Sequence, residues 1–210
     1  FKINKKGSQR AKNKRRIFME TKDHLTLARL ITASNENFDR SSKKIAFETG
    51  CISPDINVAT YINGHTYSGT INYVRKTLTK LSGKLHKVSD FFELGRAMHF
   101  VADYFTFPHS PNFKGTLKEH VDYESVLHKY IENNLTVDYP DERFRSICGK
   151  KTTAFVDAAH TKYLGLKNSV KTDWDYIRFV CSEVTYALTC QNVFVVPKRI
   201  RKKAFVSAAF

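Results

Sequence analysis

No run of about 18 apolar residues occurs in this chain, so no segment is expected to cross a bilayer as a helix. The four cysteines, Cys51, Cys148, Cys181 and Cys190, contain no CxxC pair, which argues against a thiolate metal site. No stretch alternates apolar and polar residues long enough to demand a sheet, and no internal repeat is visible. A basic-then-apolar leader is missing and position 1 is Phe rather than Met, so a processed or truncated product is expected. Acidic residues are absent from residues 1–16, which carry +8, and residues 198–210 add +5. Of the net +15, that leaves +2 for residues 17–197. The basicity therefore belongs to two tails, which can attract anionic lipid head groups or phosphate backbones alike.

What is present suits a globular helical protein. At 210 residues with 41% hydrophobic content, residues 17–197 can form one domain with a substantial core, flanked by basic tails at 1–16 and 198–210. Helical spacing of Leu25, Ala28, Leu30 and Ile31 predicts a helix over Thr21–Ser34 with His24 in its first turn. A second helix over about Phe38–Thr49 is expected to stop at Gly50. The stretch from Cys51 to Thr70 has the Pro, Asn, Ser and Gly content of a loop, and it carries Asp55 and His65. Further helices are expected over residues 71–82, Ser89–Phe105, Thr116–Asn133, Thr152–Tyr163 and Asp173–Phe194. The resulting fold class is all-α, with six to seven helices around an interior site. Cys181 reads as a buried small hydrophobe, and His160 as structural.

The most informative stretch runs from Leu94 to Glu124. His99 and Asp103 are four residues apart, and so are His120 and Glu124. On a helix, positions i and i+4 share a face, so each pair offers an imidazole and a carboxylate to one point. His109 lies between the pairs, in a segment with Pro108, Pro111 and Gly115 that reads as an interhelical loop. With His24, Asp55 and His65, the chain offers eight candidate ligands, all imidazole or carboxylate. That donor set suits a catalytic zinc rather than a structural one built on Cys, and eight ligands exceed the needs of one tetrahedral ion. Two or three ions with a bridging carboxylate are expected. Clustered metals hold a phosphoryl oxygen and activate a water, so phosphoester hydrolysis is the reaction class implied. His128, one turn beyond Glu124, is expected to support the cluster or face the surface.

The order His24, Asp55, His65, then LGRAMHFVADYFTFPHSPNF with His99, Asp103 and His109, then HVDYE with His120 and Glu124, resembles the bacterial zinc-dependent phospholipase C family. The resemblance implies an all-helical fold and a trinuclear zinc site. One zinc would be held by Asp55, His65, His99 and Asp103, and a second by His109, His120 and Glu124. The third would take His24 and share Asp103, completed by the amine and carbonyl of a mature N-terminal residue. Asp55 is also the implied general base. Secretion or a cell-surface location, and a phospholipid substrate at a membrane surface, follow from the same resemblance.

Related zinc nucleases share His99, Asp103 and His109, but typically end the motif on Asp after a Gly-Gly-Asn lead-in. Glu124 and the missing lead-in favour the phospholipase reading, so nucleic acid is the less favoured partner. A non-catalytic membrane-binding module is a further alternative, against which the complete ligand set argues. Two features depart from the family. Phe1 lies 23 residues ahead of His24 and the only tryptophan is Trp174, where the family starts its mature chain on a Trp nearer the first His. Ile56 and Ile62 stand where choline-preferring members carry aromatics.

Overall fold

The computed structural model describes residues 21–56, 64–135 and 152–190. The predicted basic tails, the connector at 139–149, Ile62, Cys148 and Phe1 lie outside them. The described residues form seven helices and no strand, so the fold is all-α as expected. They are α1 (Thr21–Ser34), α2 (Ser41–Ile56), α3 (Tyr67–Leu81), α4 (Val88–Asp103), α5 (Leu117–Asn133), α6 (Thr152–Leu164) and α7 (Val170–Cys190). A short 3-10 turn, Phe107–His109, joins α4 towards α5.

The largest difference from the sequence reading is α2. Gly50 does not stop it: the helix continues through Gly50 and Pro54 to Ile56, so Asp55 sits in its last turn rather than on a loop. Pro54 has no N–H to give the Gly50 carbonyl four residues back. The Ser53 hydroxyl donates to that carbonyl instead, at 2.9 Å. Gly50 is required by packing, because a Cβ there would lie 2.2 Å from the Phe92 carbonyl oxygen of α4. The relation is reciprocal. A Cβ on Gly95 of α4 would lie 2.2 Å from the Phe47 carbonyl oxygen of α2. The two helices therefore cross backbone to backbone, closer than any larger residue permits.

Helix ends follow local chemistry. Thr66 caps α3 by accepting from Gly69 N, and Thr116 with Glu119 forms a reciprocal capping box at α5. Gly83, with φ of 69°, follows the end of α3 where the sequence placed a stop. α3 itself begins earlier than expected, at Tyr67, directly after the turn that holds His65. Around α4, which is buried along most of its length, gather Leu27 and Ile31 of α1, Phe47 of α2, Val74 and Leu78 of α3, and Ile177, Val184 and Leu188 of α7. Trp174 is buried beneath α5 and reaches the Asn134 carbonyl oxygen at 3.4 Å. Cys51, Cys181 and Cys190 are buried, which agrees with the reading of Cys181 as core.

His160 is structural as expected, though its environment was not legible. Its ring stacks on Tyr67 with centroids 4.0 Å apart, while the Tyr67 hydroxyl and Arg75 converge on Asp157. Burial holds the imidazole down to about 4, against the weak opposing charge of Asp157.

Two outcomes follow from this packing. Gly95→Ala gains about 1 kcal/mol of helix propensity but overpacks the crossing, and a net loss of about 1–3 kcal/mol in urea unfolding is expected. Gly165→Ala, whose Cβ meets nothing nearer than 3.5 Å, serves as the control and should lose nothing. His160 stays neutral in the fold while the unfolded chain takes up a proton near 6.5, so stability falls as pH drops from about 6.5 towards 4. A proton NMR titration should place His160 near the lower value, and His160→Gln should flatten that part of the stability profile.

Candidate metal centre

All eight sequence-predicted site residues fall into two nests. The interior nest takes His24 from α1, Asp55 from the last turn of α2, His65 from the turn before α3, and His99 with Asp103 from α4. The second takes His109 from the 3-10 turn and His120 with Glu124 from α5. Three groups of side chains have ligand atoms within 4.8 Å of one another: His24, Asp55 and His99; His65, His99 and Asp103; and His109, His120 and Glu124.

Asp103 is the centre of the interior nest and is fully buried. Its Oδ1 faces His24 Nε2 at 3.4 Å, and its Oδ2 faces His65 Nδ1 at 3.1 Å and His99 Nε2 at 3.4 Å. Asp55 Oδ1 stands 3.6 Å from His99 Nε2 and 3.9 Å from His65 Nδ1. Four donors about 2.0–2.1 Å from a tetrahedral ion stand roughly 3.3 Å apart, so these separations fit ligands around a shared centre. They do not fit ordinary hydrogen bonding: both Asp103 oxygens and both His24 ring nitrogens are buried without a hydrogen bond. Buried polar atoms in that state are costly unless another partner satisfies them, and a divalent cation does so.

The two overlapping groups share one atom. His99 Nδ1 donates to the Cys51 carbonyl oxygen at 2.8 Å, which leaves only Nε2 to face the nest. One ring nitrogen cannot serve two ions, so His99 belongs to a single centre. The carboxylate of Asp103 has no such limit, since its two oxygens face different partners. The expected set of Asp55, His65, His99 and Asp103 draws on both overlapping groups, and His24 faces the other oxygen of Asp103. The expected N-terminal contribution lies outside the described residues.

The second nest is simpler. His109 Nε2 and His120 Nε2 lie 3.1 Å and 2.9 Å from the same oxygen, Glu124 Oε1. The i,i+4 pair read from sequence is thus formed, and the loop histidine meets it. The His109 ring also hydrogen-bonds the His65 backbone, which links the two nests.

A family model for zinc-dependent phospholipase C matches residues 23–179. The chain belongs to this family. Comparison with curated proteins and with solved structures gave no match. Family membership and the donor chemistry agree: the three groups hold imidazole and carboxylate side chains and no cysteine, which suits zinc open to a substrate.

The electrostatics show why a cation fits. Burial works against the charge on Asp103, yet His99, His109, His24 and His65 together hold its carboxyl well below the usual range. Burial, with the neighbouring charge of His24, pushes His99 well below the ordinary imidazole value. Burial pushes Asp55 up. For Glu124 the bonds from His109 and His120 outweigh burial and hold it down. Against burial, the Asp103 carboxylate pushes His24 and His109 up, and a bound cation would take the place of those protons, since imidazole ligands must be neutral.

Two supporting contacts escaped the sequence reading. His128 was expected near the cluster or at the surface; its Nδ1 in fact meets Asp23 Oδ1 at 2.6 Å, tying α5 to the residue beside His24. Asp173 of α7 accepts hydrogen bonds from the backbone of Phe107 and from Tyr123, neighbours of His109 and Glu124. An isolated carboxylate at a helix start carries no sequence signal beyond capping, so neither Asp could have been singled out. Zinc added to the chelator-stripped chain should raise its melting temperature, by about 2.7 kcal/mol of stability at a hundredfold excess over the dissociation constant. Magnesium should do far less, and equal shifts from both cations would contradict the imidazole-rich donor set.

Proposed function

We propose that this chain is a zinc-dependent phospholipase C that hydrolyses the phosphodiester of phospholipids to diacylglycerol and a phosphorylated head group. The observation that carries this reading is the pair of thiolate-free nests meeting inside the helical frame of the family. Asp55, His65, His99 and Asp103 would hold one zinc, and His109, His120 and Glu124 another. His24 with the free oxygen of Asp103 supports a third, giving two to three ions per chain. Bound zinc supplies a Lewis acid for phosphoryl oxygens and lowers the pKa of water.

The chain's own residues then divide the work. Asp55 is assigned the role of general base, taking a proton from the attacking water. The water oxygen bonds to phosphorus as the bond to the diacylglycerol oxygen breaks, and that oxygen leaves with a proton from solvent. Asp103, held ionised, keeps the interior imidazoles oriented. Ile56, 68% exposed beside Asp55, offers no aromatic face to a quaternary ammonium head group. The basic tails would meet anionic lipid at the membrane surface, outside the cell or on its surface. No described helix is long and apolar enough to cross a membrane.

The same basic tails favour a nuclease as the second reading, and one experiment separates the two. Purified zinc-loaded protein is offered phospholipid vesicles and single-stranded nucleic acid in parallel, with zinc counted by elemental analysis. Release of diacylglycerol, more than one zinc per chain and intact nucleic acid are expected. Asp55→Asn should keep the fold and lower turnover by about 10²- to 10⁴-fold. Cleavage of nucleic acid alone would establish the nuclease reading, and full activity of Asp55→Asn would remove that residue from the base role.

A further inference from the structure

Asp173 lies in the first turn of α7, far in sequence from every residue of the two nests, and is fully buried. Its carboxylate accepts three hydrogen bonds. Oδ2 accepts from the Phe107 backbone N–H at 2.9 Å and from the Tyr123 hydroxyl at 2.8 Å. Oδ1 accepts from the Tyr163 hydroxyl at 2.8 Å. The two donors on Oδ2 are placed with respect to the second nest: Phe107 begins the 3-10 turn that ends on His109, and Tyr123 immediately precedes Glu124. Their rings also pack edge to face, with centroids 5.6 Å apart. A single oxygen thereby gathers the two pieces of backbone that must meet for His109 to reach Glu124. Tyr163, by contrast, comes from α6, which contributes no residue to either nest.

We propose that Asp173 is the positioning residue of the second nest, fixing the 3-10 turn against α5 and so setting the affinity of His109, His120 and Glu124 for zinc. This rests on reading those three residues as a zinc site. A buried carboxylate can also serve stability alone, with no consequence for the metal. The two roles differ in what they do to zinc affinity in the folded chain. An outer partner that orients ligands typically changes metal affinity by about 10- to 100-fold, whereas a residue of purely structural value leaves the affinity of folded molecules unchanged.

Zinc binding to the chelator-stripped full chain is measured by competition with a chromophoric chelator, and His120→Ala marks which binding step belongs to the second nest. Asp173→Ala is expected to weaken that step by about 10- to 100-fold and to leave the interior step unchanged. Tyr163→Phe, which removes one hydrogen bond from the same carboxylate, should alter neither step. Wild-type affinity in Asp173→Ala that is folded by circular dichroism overturns the proposal, as does an equal loss in Tyr163→Phe. Should Asp173→Ala fail to fold, Asp173→Asn keeps one acceptor oxygen and is measured instead. A weaker second step then supports the proposal, and an unchanged one overturns it. A wild-type chain with no step sensitive to His120→Ala overturns the zinc reading of the nest, and the proposal with it.

Discussion

The close crossing of α2 and α4 is the constraint from which the site follows. Gly50 and Gly95 each lie against the opposite backbone with no room for a Cβ. One residue after Gly50, the Cys51 carbonyl meets the ring of His99, four residues after Gly95. One turn further along each helix stand Asp55 and Asp103, the carboxylates that flank the imidazoles of the interior nest. A wider crossing would separate Cys51 from His99 and release the ring from the orientation that points Nε2 inward. The glycines therefore act on the chemistry through distance: they set how near two backbones come, and the backbones set where the ligand atoms point.

The interior nest makes sense only as a balance of charge. Two carboxylates and three imidazoles share one region with side chains at most 5% exposed, and several of their polar atoms have no hydrogen bond. Asp103 is ionised with no hydrogen bond to either oxygen, and His24 is buried with none to either nitrogen. Replacing buried charged groups by well-packed apolar side chains is often neutral or stabilising, since unsatisfied buried polar atoms oppose folding. Their presence points to a positive ligand that repays the desolvation, and zinc is the ion that the donor types and the family both support.

Much of this was legible from the sequence, because it depends on local periodicity. The pairs His99 with Asp103 and His120 with Glu124 follow from helical geometry alone, and both are formed. The helices themselves were visible in apolar spacing, down to the stop at Gly83. Gly50 misled for a physical reason: a glycine has the same local propensity whether it ends a helix or lets another pass close by, and only the partner helix distinguishes the two. The placement of Asp55 in a helix rather than a loop was lost with it. Asp173 was invisible for a similar reason, since its partners lie 50 to 66 residues away in sequence.

The two nests are built differently, and the difference suits a division of labour. Every member of the interior nest is held on or directly beside a helix that belongs to the core, and His99 and Asp103 have no exposed surface. In the second nest His120 keeps 17% of its side chain exposed, and His109 rides on a three-residue turn rather than a long helix. Rigid burial holds the Asp103 carboxylate with its two oxygens facing different imidazoles. A partly open nest with three ligand-type side chains would leave a fourth position open on a tetrahedral zinc. Such a nest cannot draw its precision from the core, and must take it from outside. The hydrogen bond from His109 to the backbone of His65, the carboxylate of Asp173 and the contact of His128 with Asp23 carry the order of the core across to it.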